Sequence, residues 1–424
     1  MSTSSSPEPP TRRGWIVLAT TFVTLVVTYG AWYSYSVFLV ALLREFGWSR
    51  SLVSGAFSVF TLVHGAFAPA VGVLLRRVGP RAVIAGGSLF MTAGLWVTAQ
   101  TTEWWHLYLG FGGIAAIGMS LTGWVPSVVL LQRWFPERVA TAIGIGSAGI
   151  GVGIFALLPL AQILIDWWGW RWAYRIFGLF IAAWVVPATL LLIHDPQPSA
   201  PSAIRDSTEG APPPPAARTS WTLANAMHTW RFWGVAVVYF TGCFVTQMLL
   251  IHHVAYLVDH GISPIIAATV GGLAGLVSIP AKIGWGALAD RKSRELVYTI
   301  AFGAVIASIG LLVLAGWYPS SVLPYVYGVV VGLGYGVMAP VPSAVASDLY
   351  AGPSFSTIYG VLYTVMGLGL AIGTWSAGEI FDRTGSYAGA LWLGLGNAVL
   401  SPIALWVVAP RRPNPAPGGD GDRG

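Results

Sequence analysis

Long apolar segments follow one another along the chain, separated by short stretches that carry charges, glycine and proline. Each segment is about as long as the roughly 20 apolar residues that a helix needs to cross a bilayer. We place twelve of them, at residues 15–43, 51–75, 82–100, 107–131, 139–164, 171–193, 231–258, 264–288, 296–316, 322–346, 356–380 and 386–408. The pattern therefore predicts an all-α integral membrane protein with twelve transmembrane helices.

A polar segment interrupts this series after the sixth span. Residues 194–229 contain PQPSAPSAIRDSTEGAPPPPAARTS, whose proline, serine and scattered charges cannot bury apolar area. We therefore expect a disordered cytoplasmic linker there. It divides the chain into two six-helix bundles, 14–193 and 230–409, with cytoplasmic tails at 1–13 and 410–424.

The two bundles carry matching residues in equivalent loops. The paired positions are Gly47 with Gly261 and Gly72 with Gly286, each 214 residues apart, and Gly169 with Gly385, 216 residues apart. Matches at nearly one period indicate two homologous, pseudo-symmetric halves. Parallel six-helix repeats with a central binding site between them are a general plan of secondary transporters.

The composition agrees with this pattern and excludes a soluble globule. Hydrophobic residues make up 55% of the 424 residues and charged residues only 9%, against roughly 25% charged in an ordinary soluble domain. Cys243 is the single cysteine, and no cluster of cysteine and histidine has metal-ligand spacing. We therefore expect no disulfide, no metal and no other cofactor.

The net charge of +6 indicates orientation in the membrane. With both termini in the cytoplasm, sixteen arginines and lysines fall on the cytoplasmic side and five on the opposite side. This asymmetry predicts a multi-pass protein of the inner (plasma) membrane of a bacterium. Because the basic residues are spread over six short segments and form no single patch, we expect no binding of nucleic acid.

Several short motifs together resemble one family. They are GVLLRRVGPR at 72–81, GALADR at 286–291, FGWSRS at 46–51, QRWFPERVATAIGIGSAGIG at 132–151, HVAYLVDHGIS at 253–263 and KIGWGALAD at 282–290. The chain resembles the major facilitator superfamily and, within it, the monocarboxylate transporter and oxalate-formate antiporter group. The resemblance implies the major facilitator fold and secondary active transport by alternating access; we expect a monomer.

The sequence departs from these relatives at several positions. Relatives usually have arginine where Lys282 stands, and animal monocarboxylate carriers have aspartate one turn earlier, where this chain has Ser278. The antiporter relatives carry a second cation on the eleventh span, but residues 356–380 contain none, which argues against oxalate. The fifth span also lacks the Gly-Pro step of drug-proton antiporters, which disfavours drug efflux.

Lys282 is the only lysine or arginine deep inside a predicted span. It lies eight residues before Asp290, or about 12 Å along the helix. Half the hydrocarbon core is about 15 Å thick, so Lys282 should lie near the midplane. A lysine there costs about 2.5–3.5 kcal/mol on insertion scales, so we expect it to face a wet cavity and bind an anion. The alternative, snorkelling to the interface, would need about 12 Å of reach. One cation offsets one carboxylate, which favours a monocarboxylate.

Other polar groups inside the spans complete the predicted site. His253 is the candidate for receiving a co-transported proton or donating to the substrate carboxylate, because imidazole changes charge near neutral pH. A neutral histidine bonded within the bundle is the alternative, and the roles of His252 and His64 stay open. Tyr33 and Tyr363 fall well inside their spans and are expected to line the site.

Charged residues in the repeated loops are candidates for gating. Arg77 and Arg81 follow the second span, and Asp290 and Arg291 end the eighth. At helix ends they can form charge-assisted links that hold one state and break in the other; simple topology anchoring is the alternative. Arg76, which stands where the motif usually has aspartate, predicts a weaker link in the first half.

The sequence thus predicts a carrier for a small organic anion, with a monocarboxylate and a proton as the favoured substrates. A carboxylate antiporter and an exporter of a hydrophobic compound are the alternatives within transport; a lone lysine should repel cationic cargo. An intramembrane enzyme is not expected, because no acid pairs with the deep basic groups. A retinal-type receptor that uses Lys282 is disfavoured by the twelve spans and the duplication.

Overall fold

The computed structural model describes residues 12–135, 139–193, 221–318, 320–350 and 355–409, and these residues form helices and their connections, with no strand among them. The predicted tail residues 1–11 and 410–424 and linker residues 194–220 lie outside this description. The end of the predicted linker differs from the expectation. Thr222 caps the short helix Leu223–Met227 there by accepting the Asn225 N–H, so ordered chain begins before residue 230.

Eleven helical stretches are long and apolar enough to cross a membrane among the described residues. They are Arg12–Phe46, Arg50–Leu75, Arg77–Thr98, Trp104–Trp134, Ala142–Leu192, Trp230–Asp259, Pro264–Arg291, Arg294–Trp317, Leu323–Tyr350, Thr357–Thr384 and Ala388–Val408. The fifth of these leaves the helical conformation at Gly169 (φ 80°, ψ 161°) and so contains two spans. The predicted all-α fold with twelve transmembrane helices is confirmed, and we number the spans one to twelve.

The sequence repeat recurs in the backbone conformation. Gly47 and Gly261, which follow the first and seventh spans, have φ of 62° and 84°. Gly169 and Gly385, which follow the fifth and eleventh spans, have φ of 80° and 70°. Glycine adopts this left-handed region without steric penalty. The same turn geometry therefore ends corresponding helices in both halves.

An even number of spans places both ends of the described chain on one side of the bundle. We call the side that holds Arg12 and Ala409 the terminal face. The opposite side, which holds the turns at Gly47, Gly261 and Gly385, is the distal face. These names make no assumption about which side is cytoplasmic.

Two pairs of helices join the halves in the distal part of the bundle. The fifth and eighth spans approach closely at Gly151, where an added Cβ would lie 2.7 Å from the Gly275 carbonyl oxygen. Small residues at such a crossing let helix backbones pack directly. The second and eleventh spans meet where the Ser58 hydroxyl donates to the Ala371 carbonyl, at 2.7 Å.

The same helices offer open space toward the terminal face. An added Cβ would meet no atom within 4 Å at Gly65 on the second span or Gly360 on the eleventh. The same holds for Gly144 on the fifth span and Gly284 on the eighth. The halves therefore touch in the distal part of the bundle, whereas these four positions nearer the terminal face have open space beside them.

Candidate functional site

Interruptions in two helices place a pair of tyrosines at mid-depth between the halves. The first span breaks at Ser34, whose hydroxyl donates to the Gly30 carbonyl at 2.7 Å. The helix Leu323–Tyr335 of the tenth span passes into a 3₁₀ turn at Gly336–Met338. The hydroxyl oxygens of Tyr33 and Tyr335, which end the two helical stretches, lie 2.9 Å apart. Interrupted helices of this kind often mark functional positions.

Lys282 lies against this tyrosine pair. Its Nζ is 5.3 Å from the centroid of the Tyr335 ring, within the range of a cation–π contact. Nine residues, or about 13 Å of helix, separate it from Arg291 at the end of the eighth span. The side chain is partly exposed, and the ion pairs formed in the described part of the chain do not include it. The nitrogen therefore stays in the bundle and does not extend to the terminal face.

Further side chains surround the Tyr33–Tyr335 pair. Tyr363, predicted from the sequence, is close enough to interact electrostatically with Tyr335. Tyr29 and Cys243 are similarly close to Tyr33. The site thus draws residues from the first, seventh, eighth, tenth and eleventh spans, and hence from both halves.

The structure does not join His253 to this group by a contact among the described residues. His253 is buried, and its Nδ1 donates to the Leu249 carbonyl at 3.1 Å. Its Nε2 has no hydrogen-bond partner among the described atoms. The ring packs against Gly271, where an added Cβ would lie 2.5 Å from Nε2, and its centroid lies 6.0 Å from that of Tyr327. One basic nitrogen of the imidazole is therefore left free inside the second half.

The other two deep histidines are hydrogen-bonded and packed within the bundle. His64 lies 3.0 Å from the Ser120 hydroxyl and packs edge-on against Trp32 within the first half. His252 lies between the Tyr387 hydroxyl, at 3.0 Å, and the Thr374 carbonyl, at 2.8 Å. Both are built into the packing of a single half.

The four predicted gating residues lie at the terminal face, opposite the closed contact at the distal face. Arg77, Asp290 and Arg291 are exposed, and none of the ion pairs given for the described residues includes them. The Arg81 guanidinium donates to the Leu190 carbonyl within its own half. This structure therefore contains no link between the halves through these four residues in the part of the chain that it describes.

The distal face holds a polar connection that the sequence reasoning missed. The guanidinium of Arg50, in the first half, lies 2.7 Å from an Asp259 oxygen in the second. The backbone N–H groups of Arg50 and Ser51 each donate to Asp382 at 2.7 Å. The sequence offered a signal, since acids end two spans of the second half and a cation begins the second span.

Comparison with known proteins agrees with this architecture. Residues 21–374 match the Major Facilitator Superfamily. Monocarboxylate transporter 3 of Rattus norvegicus is 28% identical over 404 residues, which cover 93% of this chain and 79% of that protein. Monocarboxylate transporter 2 of Homo sapiens is 25% identical over 423 residues, which cover 93% and 87%.

The fold is also similar to that of solved transporters. A bacterial homologue of the human lysosomal transporter Spinster, in an inward-facing and unoccupied conformation, superposes with a TM-score of 0.68 at 16% identity. The superposition covers 95% of this chain and 96% of that one. The matched length, the twelve spans and the two related halves show that this chain is a transporter that belongs to the Major Facilitator Superfamily.

Proposed function

We propose that this transporter carries a small monocarboxylate together with a proton across the plasma membrane by alternating access. Lys282 supports this proposal most directly: it is a cation without a carboxylate partner among the described residues, and it lies beside the tyrosine pair that joins the halves. A buried charge of this kind is costly unless an anion or water compensates it. A substrate carboxylate is the anion that would do so.

The surroundings of Lys282 favour a single carboxylate. The tyrosine hydroxyls of Tyr33 and Tyr335 can donate to its oxygens, and the rings provide apolar walls for the rest of the molecule. A dianion would need a second cation beside the first, and the described residues of the eleventh span include none before Arg383. The names of the two mammalian relatives point to the same substrate class.

The Tyr33–Tyr335 bond lies where both halves can respond to the substrate. Each hydroxyl belongs to a different half, so a carboxylate bound between them would contact both. A ligand shifts a conformational equilibrium only through contacts that differ between the two states. Exchange of the tyrosine–tyrosine bond for tyrosine–carboxylate bonds would supply such a difference.

His253 is the group proposed to carry the coupled proton. Its free Nε2 is a basic atom that can accept a proton without first giving up a hydrogen bond. Lys282 and His253 lie on neighbouring spans of the second half, so substrate and proton would move with the same bundle. With both termini in the cytoplasm, as the positive-inside asymmetry predicts, the present conformation is the inward-open one.

Uptake into proteoliposomes tests the proposal. Labelled lactate, pyruvate and benzoate are offered separately, with and without an imposed pH gradient that is acidic outside. We expect accumulation of at least one acid, driven by the gradient. Gradient-independent exchange of one carboxylate for another would instead support an antiporter, and extrusion of uncharged hydrophobic compounds would support the exporter.

Matched lysine variants assign the anion site. Lys282→Met should abolish uptake, whereas Lys282→Arg, which keeps the charge, should retain part of it. Lys292→Met, which removes an exposed lysine at the end of the same helix, is the control and should transport normally. If Lys282→Met takes up the acid at the parental rate, Lys282 does not bind the carboxylate. If His253→Gln keeps gradient-driven uptake, the coupled proton is carried elsewhere.

A further inference from the structure

The distal face contains a set of five polar side chains that the proposed substrate site does not use. We call them the Arg50 cluster: Arg50, Asp259, Asp382, Tyr387 and His252. Arg50 begins the second span and is the only member from the first half. Its guanidinium pairs with Asp259, at 2.7 Å, and its Nη1 donates to the Tyr387 hydroxyl at 2.8 Å. The cluster therefore exists in this form only while the halves touch at the distal face.

The cluster continues inward through Tyr387 to a buried imidazole. The Tyr387 hydroxyl lies 3.0 Å from Nδ1 of His252, and Nε2 of the same ring lies 2.8 Å from the Thr374 carbonyl oxygen. A carbonyl only accepts, so Nε2 carries the hydrogen and Nδ1 of the neutral ring accepts from the tyrosine. The donors thus run in one direction, from Arg50 to Tyr387 to His252 to Thr374.

A proton on His252 would disrupt this order. Nδ1–H would become a donor, so the tyrosine O–H would lose its acceptor and the Tyr387 oxygen would face donors from both Arg50 and His252. Two cations would also flank one hydroxyl inside a low-dielectric bundle, where like charges repel strongly. Arg50 is the one member that leaves when the halves separate, so opening of the distal face removes the second cation and leaves the Tyr387 oxygen to accept from the imidazolium and its O–H free to turn to water.

The other groups that face His252 favour its cation once Arg50 has left. Asp259 at the end of its own span would lose the Arg50 guanidinium, and Asp382 at the end of the eleventh span would lose the backbone N–H groups that it accepts. The remaining ionisable neighbours are Tyr387, Tyr256 and His253. The rest of the cavity beside the ring is apolar and is lined by Met248, Leu249, Leu312, Ala377, Ala390 and Leu391. Among the described residues that line this cavity, none is a carboxylate that could hold the proton in place of the ring.

We propose that His252 is a proton-binding site and that its protonation opens the distal face. The ligand is a proton from the water on that side. Neutral His252 accepts from Tyr387 and completes the closed cluster, whereas the imidazolium is compatible only with the separated halves. This site acts on the empty protein, so it requires neither Lys282 nor any particular substrate.

Cysteine labelling at the distal closure measures the opening. Ser54 is fully buried on the second span, where it abuts Gly378 of the eleventh, so Ser54→Cys reacts with a maleimide only after the halves part. Labelling is followed in purified protein in lipid nanodiscs without substrate, between pH of about 7.5 and about 5.5, the range of an accessible histidine. Exposed Gln100→Cys corrects for the pH dependence of the reagent, and the parent, with its buried Cys243, gives the background.

We expect the corrected labelling of Ser54→Cys to rise at least about fivefold on acidification, the lower end of usual coupling between sites. Adding His252→Gln should abolish the rise, because its amide can donate to Thr374 and accept from Tyr387 without gaining a charge. His64→Gln, a buried histidine of the other half, should leave the rise intact.

If His252→Gln does not fold, Tyr387→Phe provides a second test. It removes the hydroxyl that joins Arg50 to His252, and should reduce the pH response by at least half. A pH-independent labelling rate in the Ser54→Cys protein would overturn the proposal. A full pH response in His252→Gln would also overturn it. So would loss of the pH response when only His253 is replaced by glutamine. None of these outcomes bears on carboxylate uptake, so failure here and failure of the proposed transport are distinguishable.

Discussion

Arg50→Gln is expected to shift the transporter toward the state that is open at the distal face. The substitution removes the ion pair with Asp259 and the donation to Tyr387, while the backbone N–H groups that bind Asp382 remain. Since every partner of the side chain lies in the second half, the substitution destabilises only the state in which the distal face is closed. These contacts are absent from the open state, so the substitution removes none of them from that state.

The structure allows an estimate of the size of this shift. The Asp259 side chain is 33% exposed and that of Arg50 13%, so the ion pair is discounted for solvent to about 1 kcal/mol. The charge-assisted bond to Tyr387 contributes about 1.5 kcal/mol. Together they amount to about 2.5 kcal/mol, which corresponds to a change of about 60-fold in the equilibrium.

Labelling of Ser54→Cys at fixed neutral pH is the appropriate assay, because its rate follows the open population when opening is faster than the reaction. Arg50→Gln should raise the rate by more than about tenfold, which allows for side-chain entropy regained in the open state. Arg44→Gln, which removes an exposed arginine on the first span, should leave it unchanged. A rate in Arg50→Gln within twofold of the parent would show that the cluster does not hold the distal face closed.

Three further predictions test other parts of the fold. Tyr33→Phe removes the 2.9 Å bond to Tyr335 and should raise the KM for the transported acid several-fold, because the substrate loses one donor, with protein yield unchanged. Ser278→Asp places a carboxylate one turn from Lys282; we expect weaker acid binding at neutral pH in a thermal-shift titration, with affinity recovering as the pH falls. Gly275→Val should lower the melting temperature or abolish uptake, because even a Cβ there would lie 2.4 Å from Ile154 Cβ; Gly303→Val, where the space is open, is its control.

The twelve spans and the duplication could be read from the sequence for one physical reason. A bilayer demands long uninterrupted apolar segments, and the turns between them repeat glycine where a positive φ is needed. Gly47 and Gly261 are examples that the sequence paired and the backbone bears out. The depth of Lys282 followed from the same helical arithmetic, since eight residues separate it from the charged helix end.

Contacts between the halves were beyond such reasoning. Tyr33 and Tyr335 meet across 302 residues of sequence, and their meeting depends on where two helices are interrupted. Periodicity assigns a side chain to a face of its helix but does not show which helix that face will meet. The same limit hid the Arg50 cluster, whose members come from four separate segments of the chain.

The pseudo-symmetry also explains why the polar connection forms on one side of the interface only. By the repeat, Asp382 corresponds to Asp166, and Arg50 corresponds to Pro264 at the start of the eighth span. Asp382 accepts the backbone N–H of Arg50, but proline has no N–H to offer Asp166, which instead accepts from Gln162 at 2.7 Å. The start of the eighth span therefore lacks the backbone donor that corresponds to the N–H of Arg50. Among the described residues, the fifth and eighth spans are therefore left to pack through Gly151 and Gly275, whereas the start of the second span is held to the second half by the carboxylates of Asp259 and Asp382.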